Sequence, residues 1–264
     1  MTDEALVRRD WPPPLPGAAP LPQMVRAQAG LELRTLVRNG EQLLLTLIIP
    51  VLLLVAFAQA DLVSVGSISR IGFIVPGILA LTVLSTAFTS QAIATGFERR
   101  YGVLKRLGAA PLSRRGLIAA KTVSVLVVEV AQAAIVLAVG ALLHWRPAAS
   151  PAAVVWVPLL LLAGTAAFSG LALLLAGTVR AEATLAAANL LYLIMLGLGA
   201  VLFPLTKFPA AARPVLRLLP ADALADGLRS VLAYGGGVPG TDLLVLCVWA
   251  AAAIALAVRT FRWE

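Results

Sequence analysis

Gly96-Phe97-Glu98-Arg99-Arg100-Tyr101-Gly102-Val103-Leu104-Lys105-Arg106-Leu107-Gly108-Ala109-Ala110-Pro111-Leu112-Ser113-Arg114-Arg115 is the densest run of charge in the chain. Long apolar segments flank it on both sides. It reads as a short, basic, amphipathic helix, then a Pro-Leu-Ser turn, then a return into an apolar environment. That contrast makes the chain an all-α integral membrane protein. The 264 residues are 60% hydrophobic and 13% charged, against about 25% charge in soluble domains.

Outward from this stretch, six apolar runs are predicted to span the bilayer. They cover about 43–60, 71–95, 117–143, 152–179, 184–203 and 242–258. About 20 apolar residues in a helix cross the ~30 Å hydrocarbon layer. Backbone groups in lipid must be satisfied within each segment, so the runs are helices. Only Arg180-Ala181-Glu182-Ala183 separates the fourth from the fifth, which predicts a tight hairpin. The remaining segments carry the charge. Arg70, Arg146, Lys207, Arg213, Arg217 and Arg229 fall on one side, and the other fifteen of the 21 Lys and Arg fall on the opposite side. Basic residues collect on the cytoplasmic face. The quoted stretch and both termini are therefore expected in the cytoplasm.

Residues 1–22 are rich in proline and are expected to be a disordered cytoplasmic tail, with the membrane domain covering 23–264. No signal-peptide layout is visible in the tail. Residues 23–41 interleave Met24, Leu31, Leu33 and Leu36 with Arg26, Glu32, Arg34 and Arg38. That pattern suits a helix lying in the interface, and a solvated helix is the alternative. The segment 204–241 contains apolar residues at helical spacing, Leu224, Leu228, Val231 and Leu232, and ends at a Gly run. It predicts short outer-leaflet helices before the sixth span. They either dip into the bilayer or rest on the headgroups.

The net charge of +8 follows from the cytoplasmic bias and contact with anionic lipid, so nucleic acid is not an expected partner. Cys247 and His144 are single residues of their types, which leaves no basis for a disulfide framework or a metal site. Lys121-Thr122 lacks the Gly-rich cradle of a nucleotide-binding loop, and no hydrolase or metalloprotease motif occurs. The chain is not expected to be an enzyme or to hold a cofactor. Of the thirteen acidic residues, only Glu129 sits deep in a span, with Gln132 on the same face. A carboxylate there costs at least ~2.5 kcal/mol. It is either a translocation-path or gating residue, or one end of an inter-helix hydrogen bond, for example to Asn189 or Gln91. Glu129, Gln132 and Asn189 are the candidates for the path.

Glu98 to Leu107, followed by Ala110-Pro111-Leu112-Ser113, resembles the E-R-E-x-G-T-L-K/R-x-L…(T/A)-P-L-S stretch of ABC-2 type transporter permeases, in particular the daunorubicin-resistance-like drug-exporter branch. Leu219-Pro220 through Leu228-Arg229 resembles a second stretch of that family. Arg100 stands where an acidic residue is common, and Val103 where Thr is common. The resemblance implies that the 96–115 stretch is a coupling helix docking on a separate ABC ATP-binding subunit, which would carry ATP and Mg. Glu98, Arg99, Arg100, Lys105 and Arg106 would then pair with partner charges. Tyr101 and Leu104 would fill an apolar slot. Gly102 belongs to the same coupling stretch, and Pro111, Leu112 and Ser113 would form the turn after it. It further implies pairing with a second permease copy, contact with membrane lipids, a bacterial plasma membrane, and ATP-driven export. The Leu-, Ala- and Val-rich spans suit a hydrophobic or amphiphilic drug-like or antibiotic-like substrate. A lipid or lipid-linked envelope glycan is the alternative. Readings from another class are a stand-alone secondary carrier, which would need inverted repeats or several midplane ionisable groups, or a non-transporting membrane sensor.

Overall fold

The computed structural model describes residues 19–38, 40, 44–59, 69–108, 114–148, 150–235 and 238–260. The Pro-rich segment up to residue 18, and Pro111, Leu112 and Ser113, lie outside the described residues. All regular structure among the described residues is helical. Helix α1 covers Leu21–Arg38, and a π turn, Leu44–Ile48, leads into α2, Ile49–Gln59. Helix α3 runs Arg70–Arg100, with a π segment at Leu84–Ser90. Then come α4 Val103–Gly108, α5 Arg114–Leu142, α6 Ala153–Thr178, α7 Ala181–Leu198, α8 Arg213–Leu216, α9 Pro220–Leu232 and α10 Gly240–Thr260.

Five helices are long and apolar enough to cross a membrane: α3, α5, α6, α7 and α10. The first expected span corresponds to a shorter apolar helix, Thr46–Gln59. Helix α3 is the centre of the bundle and is buried along almost its whole apolar length, whereas the other four expose large apolar side chains. It begins where the Ser69 hydroxyl accepts a hydrogen bond from the Gly72 N–H, an N-cap that satisfies one of the first-turn donors. Pro76 lies in its second turn, and the helix continues past it without the hydrogen bond that position would give to the Gly72 carbonyl.

The hairpin between α6 and α7 is as tight as the sequence predicts. Val179 and Arg180 are extended and make the whole turn. Helix α9 is tucked among α3, α6 and α10. A Cβ added at Gly164 would meet Leu224 Cδ2 at 2.8 Å. Gly164 is eleven residues into α6, so α9 reaches about 16 Å along that helix at 1.5 Å per residue. Helix α9 is packed against the bundle rather than standing apart from it. Its Ala221–Ala225 and Gly227–Arg229 are buried, and Asp226 faces outward.

Candidate functional site

The 96–108 stretch does not form one helix. Its first part, Gly96–Arg100, is the last turn of α3, because nothing before Arg100 breaks the helical backbone. Tyr101 N–H still bonds the Phe97 carbonyl at 2.9 Å, and Gly102 N–H bonds the Arg99 carbonyl at 3.1 Å. Gly102 then turns at φ +67°, a left-handed conformation that glycine adopts without steric cost. Arg106 N–H bonds the Gly102 carbonyl and opens the short helix α4. The expected amphipathic helix is thus divided into the end of a 31-residue span and a separate six-residue helix.

This division decides what the charges do. Lys121, near the start of α5, places its ammonium 2.7 Å from Glu98 Oε2 and 3.0 Å from Glu98 Oε1. The same ammonium is 3.3 Å from Glu32 Oε1 on α1. Ser124 donates to Glu32 Oε2 at 3.0 Å, and Gln28 donates to Glu32 Oε1 at 3.2 Å. One lysine therefore ties α1, the end of α3 and the start of α5. Arg99 donates to the Val179 carbonyl, and Arg100 pairs with Glu182, so both reach the turn between α6 and α7. Gly96 packs against Thr184 of the same hairpin; an added Cβ would meet Thr184 Cγ2 at 3.3 Å.

Glu98, Arg99 and Arg100 are thus engaged within the chain, whereas the sequence reading assigned their charges to a partner. Among the described residues of the stretch, Arg100, Tyr101, Lys105 and Arg106 are exposed. Tyr101 stacks on Phe97, with centroids 6.0 Å apart, and Arg106 donates to the Tyr101 carbonyl at 3.3 Å. Leu104 lies in α4.

The path candidates separate. Thr165 on α6 donates to Glu129 Oε2 at 2.5 Å, while Oε1 is buried without a hydrogen-bond partner. Neither Asn189 nor Gln91 is Glu129's partner. Gln91 accepts instead from Ser169 of α6 at 2.8 Å. Gln132 accepts from Thr86 on α3 and donates to the Thr46 carbonyl, both at 2.9 Å. Glu129 and Gln132 therefore belong to a series of polar pairs that fasten α3, α5 and α6. Asn189 is exposed on α7.

Arg229 on α9 was counted in the sequence as an outer-side charge and as the end of the second family-like stretch. It is 2% exposed. Its guanidinium donates to the carbonyls of Phe73 at 3.2 Å, Ala200 at 2.7 Å and Val201 at 2.5 Å. Gly77 makes room for this, since a Cβ there would stand 2.2 Å from the Val201 carbonyl oxygen and 2.8 Å from Arg229 Nη2. Ala200 sits at φ 47°, held by the bond its carbonyl accepts. The signal available in the sequence was spacing: Ala225 and Leu232 lie four before and three after Arg229, on one apolar stripe. Beside it, burial and then the like charge of Asp226 push the Asp222 carboxyl up to about 7, against the opposing pull of Arg229.

Among the described residues, no group of three His, Cys, Asp or Glu side chains is placed to hold a metal ion. The polar pairs of Thr86 with Gln132, Thr165 with Glu129 and Ser169 with Gln91 fasten α3, α5 and α6 to one another. A family model described as ABC-2 type transporter matches residues 27–233. No curated protein matches the chain.

Proposed function

Starting from the ABC-2 type transporter family, to which this chain belongs, we propose that it is the permease subunit of an ATP-driven exporter in the drug-exporter branch. It moves a hydrophobic or amphiphilic, drug-like or antibiotic-like substrate outward across a bacterial plasma membrane. ATP and Mg are bound by a separate ABC subunit, and a second permease copy completes the path. Helix α2 with its preceding turn is read as the first of six spans, which puts both termini in the cytoplasm.

The observation that carries this reading is the continuity of α3 into the coupling stretch. A 31-residue helix is about 46 Å long, enough to cross the hydrocarbon and both headgroup layers. It ends at Arg100, one turn before α4. Only Tyr101 and Gly102 lie between α4 and the central, buried helix, so a push on α4 has a short route to it. The exposed Tyr101, Lys105 and Arg106 supply an aromatic anchor and two charges, the residue types that dominate docking interfaces. Glu98, Arg99 and Arg100 support the same role from inside, by joining the lever to α1, α5 and the hairpin of α6 and α7.

The test is co-expression of the full chain with each candidate ABC ATP-binding subunit from the same genome. The expected result is co-purification and ATP hydrolysis stimulated by amphiphiles in liposomes. Absence of a complex, or hydrolysis indifferent to every amphiphile, would overturn the reading.

A further inference from the structure

A cavity of about 360 Å³ lies between α1, α3, α4 and α5. Its volume falls in the range of small-molecule sites. Its walls are mainly apolar, with Leu36, Leu107 and Val125 among them. Among the described lining residues the charged groups are Glu32, Glu98 and Lys121, so two carboxylates share one ammonium and these three groups sum to one negative charge.

A second observation points to a ligand. Thr95 lines this cavity, is 1% exposed, and its hydroxyl has no hydrogen-bond partner. Threonines in helices commonly bond the carbonyl four residues back, as Thr122 and Thr178 do here. A buried hydroxyl without a partner costs free energy unless something supplies one.

We infer that this cavity binds a lipophilic amine, its ammonium beside Glu32 and Glu98, a polar group on the Thr95 hydroxyl, and its apolar body against Leu107. The inference deepens the exporter reading and rests on it for the function of binding. The site lies at the coupling end of the chain, beside the interfacial helix. Because Val103 and Leu107 of α4 line it, occupancy presses on the same short helix that faces the ATP-binding subunit. The occupant is a free amine. A phosphatidylethanolamine headgroup brings a phosphate with its ammonium, and the excess negative charge repels it.

The test uses the full chain in phosphatidylcholine nanodiscs with a dansyl-tagged primary alkylamine and its N-acetylated twin. The amine is expected to bind saturably and about tenfold more tightly than the twin, the scale of one charge-assisted contact. Glu32→Gln, which cancels the excess charge, is expected to remove that preference and leave the twin unchanged. Thr95→Val, nearly isosteric, is expected to weaken the amine about threefold. Leu107→Trp, which fills the cavity, is expected to block both probes, and it keeps the test decisive should Glu32→Gln misfold. Equal binding of amine and twin to the unaltered chain, or full binding by Leu107→Trp, would overturn the site. Displacement of the amine by phosphatidylethanolamine would overturn the identity of its occupant. Loss of the site alongside intact, ATP-coupled export of neutral amphiphiles would refute this inference and leave the exporter reading standing.

Discussion

Arg229 lays its guanidinium over the ring of Phe73, 3.7 Å from the centroid, and donates to the carbonyl of that same residue. The contact joins helix α9 to the first turn of α3. Two more carbonyls, of Ala200 and Val201, complete the cage and fix the chain just after α7. One side chain thus holds three segments that are far apart in sequence.

Arg229→Met keeps the bulk and removes every donor to the carbonyls of Phe73, Ala200 and Val201. Stability is expected to fall by about 3–5 kcal/mol. Arg229→Lys keeps the charge but not the fork, and should lose roughly half as much. Thermal unfolding in detergent, followed by tryptophan fluorescence, measures both. Equal melting of all three proteins would show that the cage contributes nothing.

Lys121→Ala leaves Glu32 and Glu98 facing each other without their shared ammonium. Breaking a buried ion cluster from one side costs about 3–5 kcal/mol. The triple variant Glu32→Gln, Glu98→Gln, Lys121→Met removes all three charges and should recover most of that loss. Hydrogen exchange in α1 is the readout, since α1 is the element the cluster tethers. Unchanged protection in Lys121→Ala would assign the tether to apolar packing alone.

Tyr101→Ala and Glu98→Gln should separate docking from support. Tyr101 is 64% exposed, so its removal is expected to change stability by no more than about 0.5 kcal/mol while sharply reducing retention of the ATP-binding subunit. Glu98→Gln is expected to lower stability and reduce coupled hydrolysis, with the subunit still retained. A pull-down combined with a melting curve distinguishes them. Full retention by Tyr101→Ala would remove Tyr101 from the interface.

Asp222 gives a pH signature. Its carboxyl is raised from 3.8 to about 7, so the folded chain holds this proton more tightly than the unfolded one. The resulting stability is full below about 3.8 and is lost as pH rises to about 7. Asp226, Asp242, Arg217 and Arg229 act on the same group. Asp222→Asn should flatten the decline between pH 5 and pH 7, raising the melting temperature most at neutral pH. A parallel decline in both proteins would assign the dependence to other groups.

Legibility differed between elements for physical reasons. Long apolar runs announce helices in lipid because length and hydropathy are local properties, and the α6–α7 turn follows from only four intervening residues. The layout of the 96–108 stretch was legible only in part. Charge density suggested a free-standing helix, yet a helix ends where its backbone turns, and the turn is at Gly102, after three of the charges. The partner of Glu129 was not readable either. Thr165 is ordinary among the hydroxyls of α6, and only packing selects it over Gln91 and Asn189.

The sequence by itself determined that the chain is helical and crosses a membrane, that its basic side is the one bearing Glu98 to Arg106, and which family pattern that stretch resembles. Each of these depends on composition or on neighbours within a few residues. Tertiary structure alone decided that α3 is the buried axis, that Lys121 is shared between Glu32 and Glu98, and that Arg229 is an interior clasp rather than an outer-surface charge. Those outcomes depend on groups 23 to 156 residues apart. A charged side chain reads the same in sequence whether water or three carbonyls surround it, and only the packed bundle determines which.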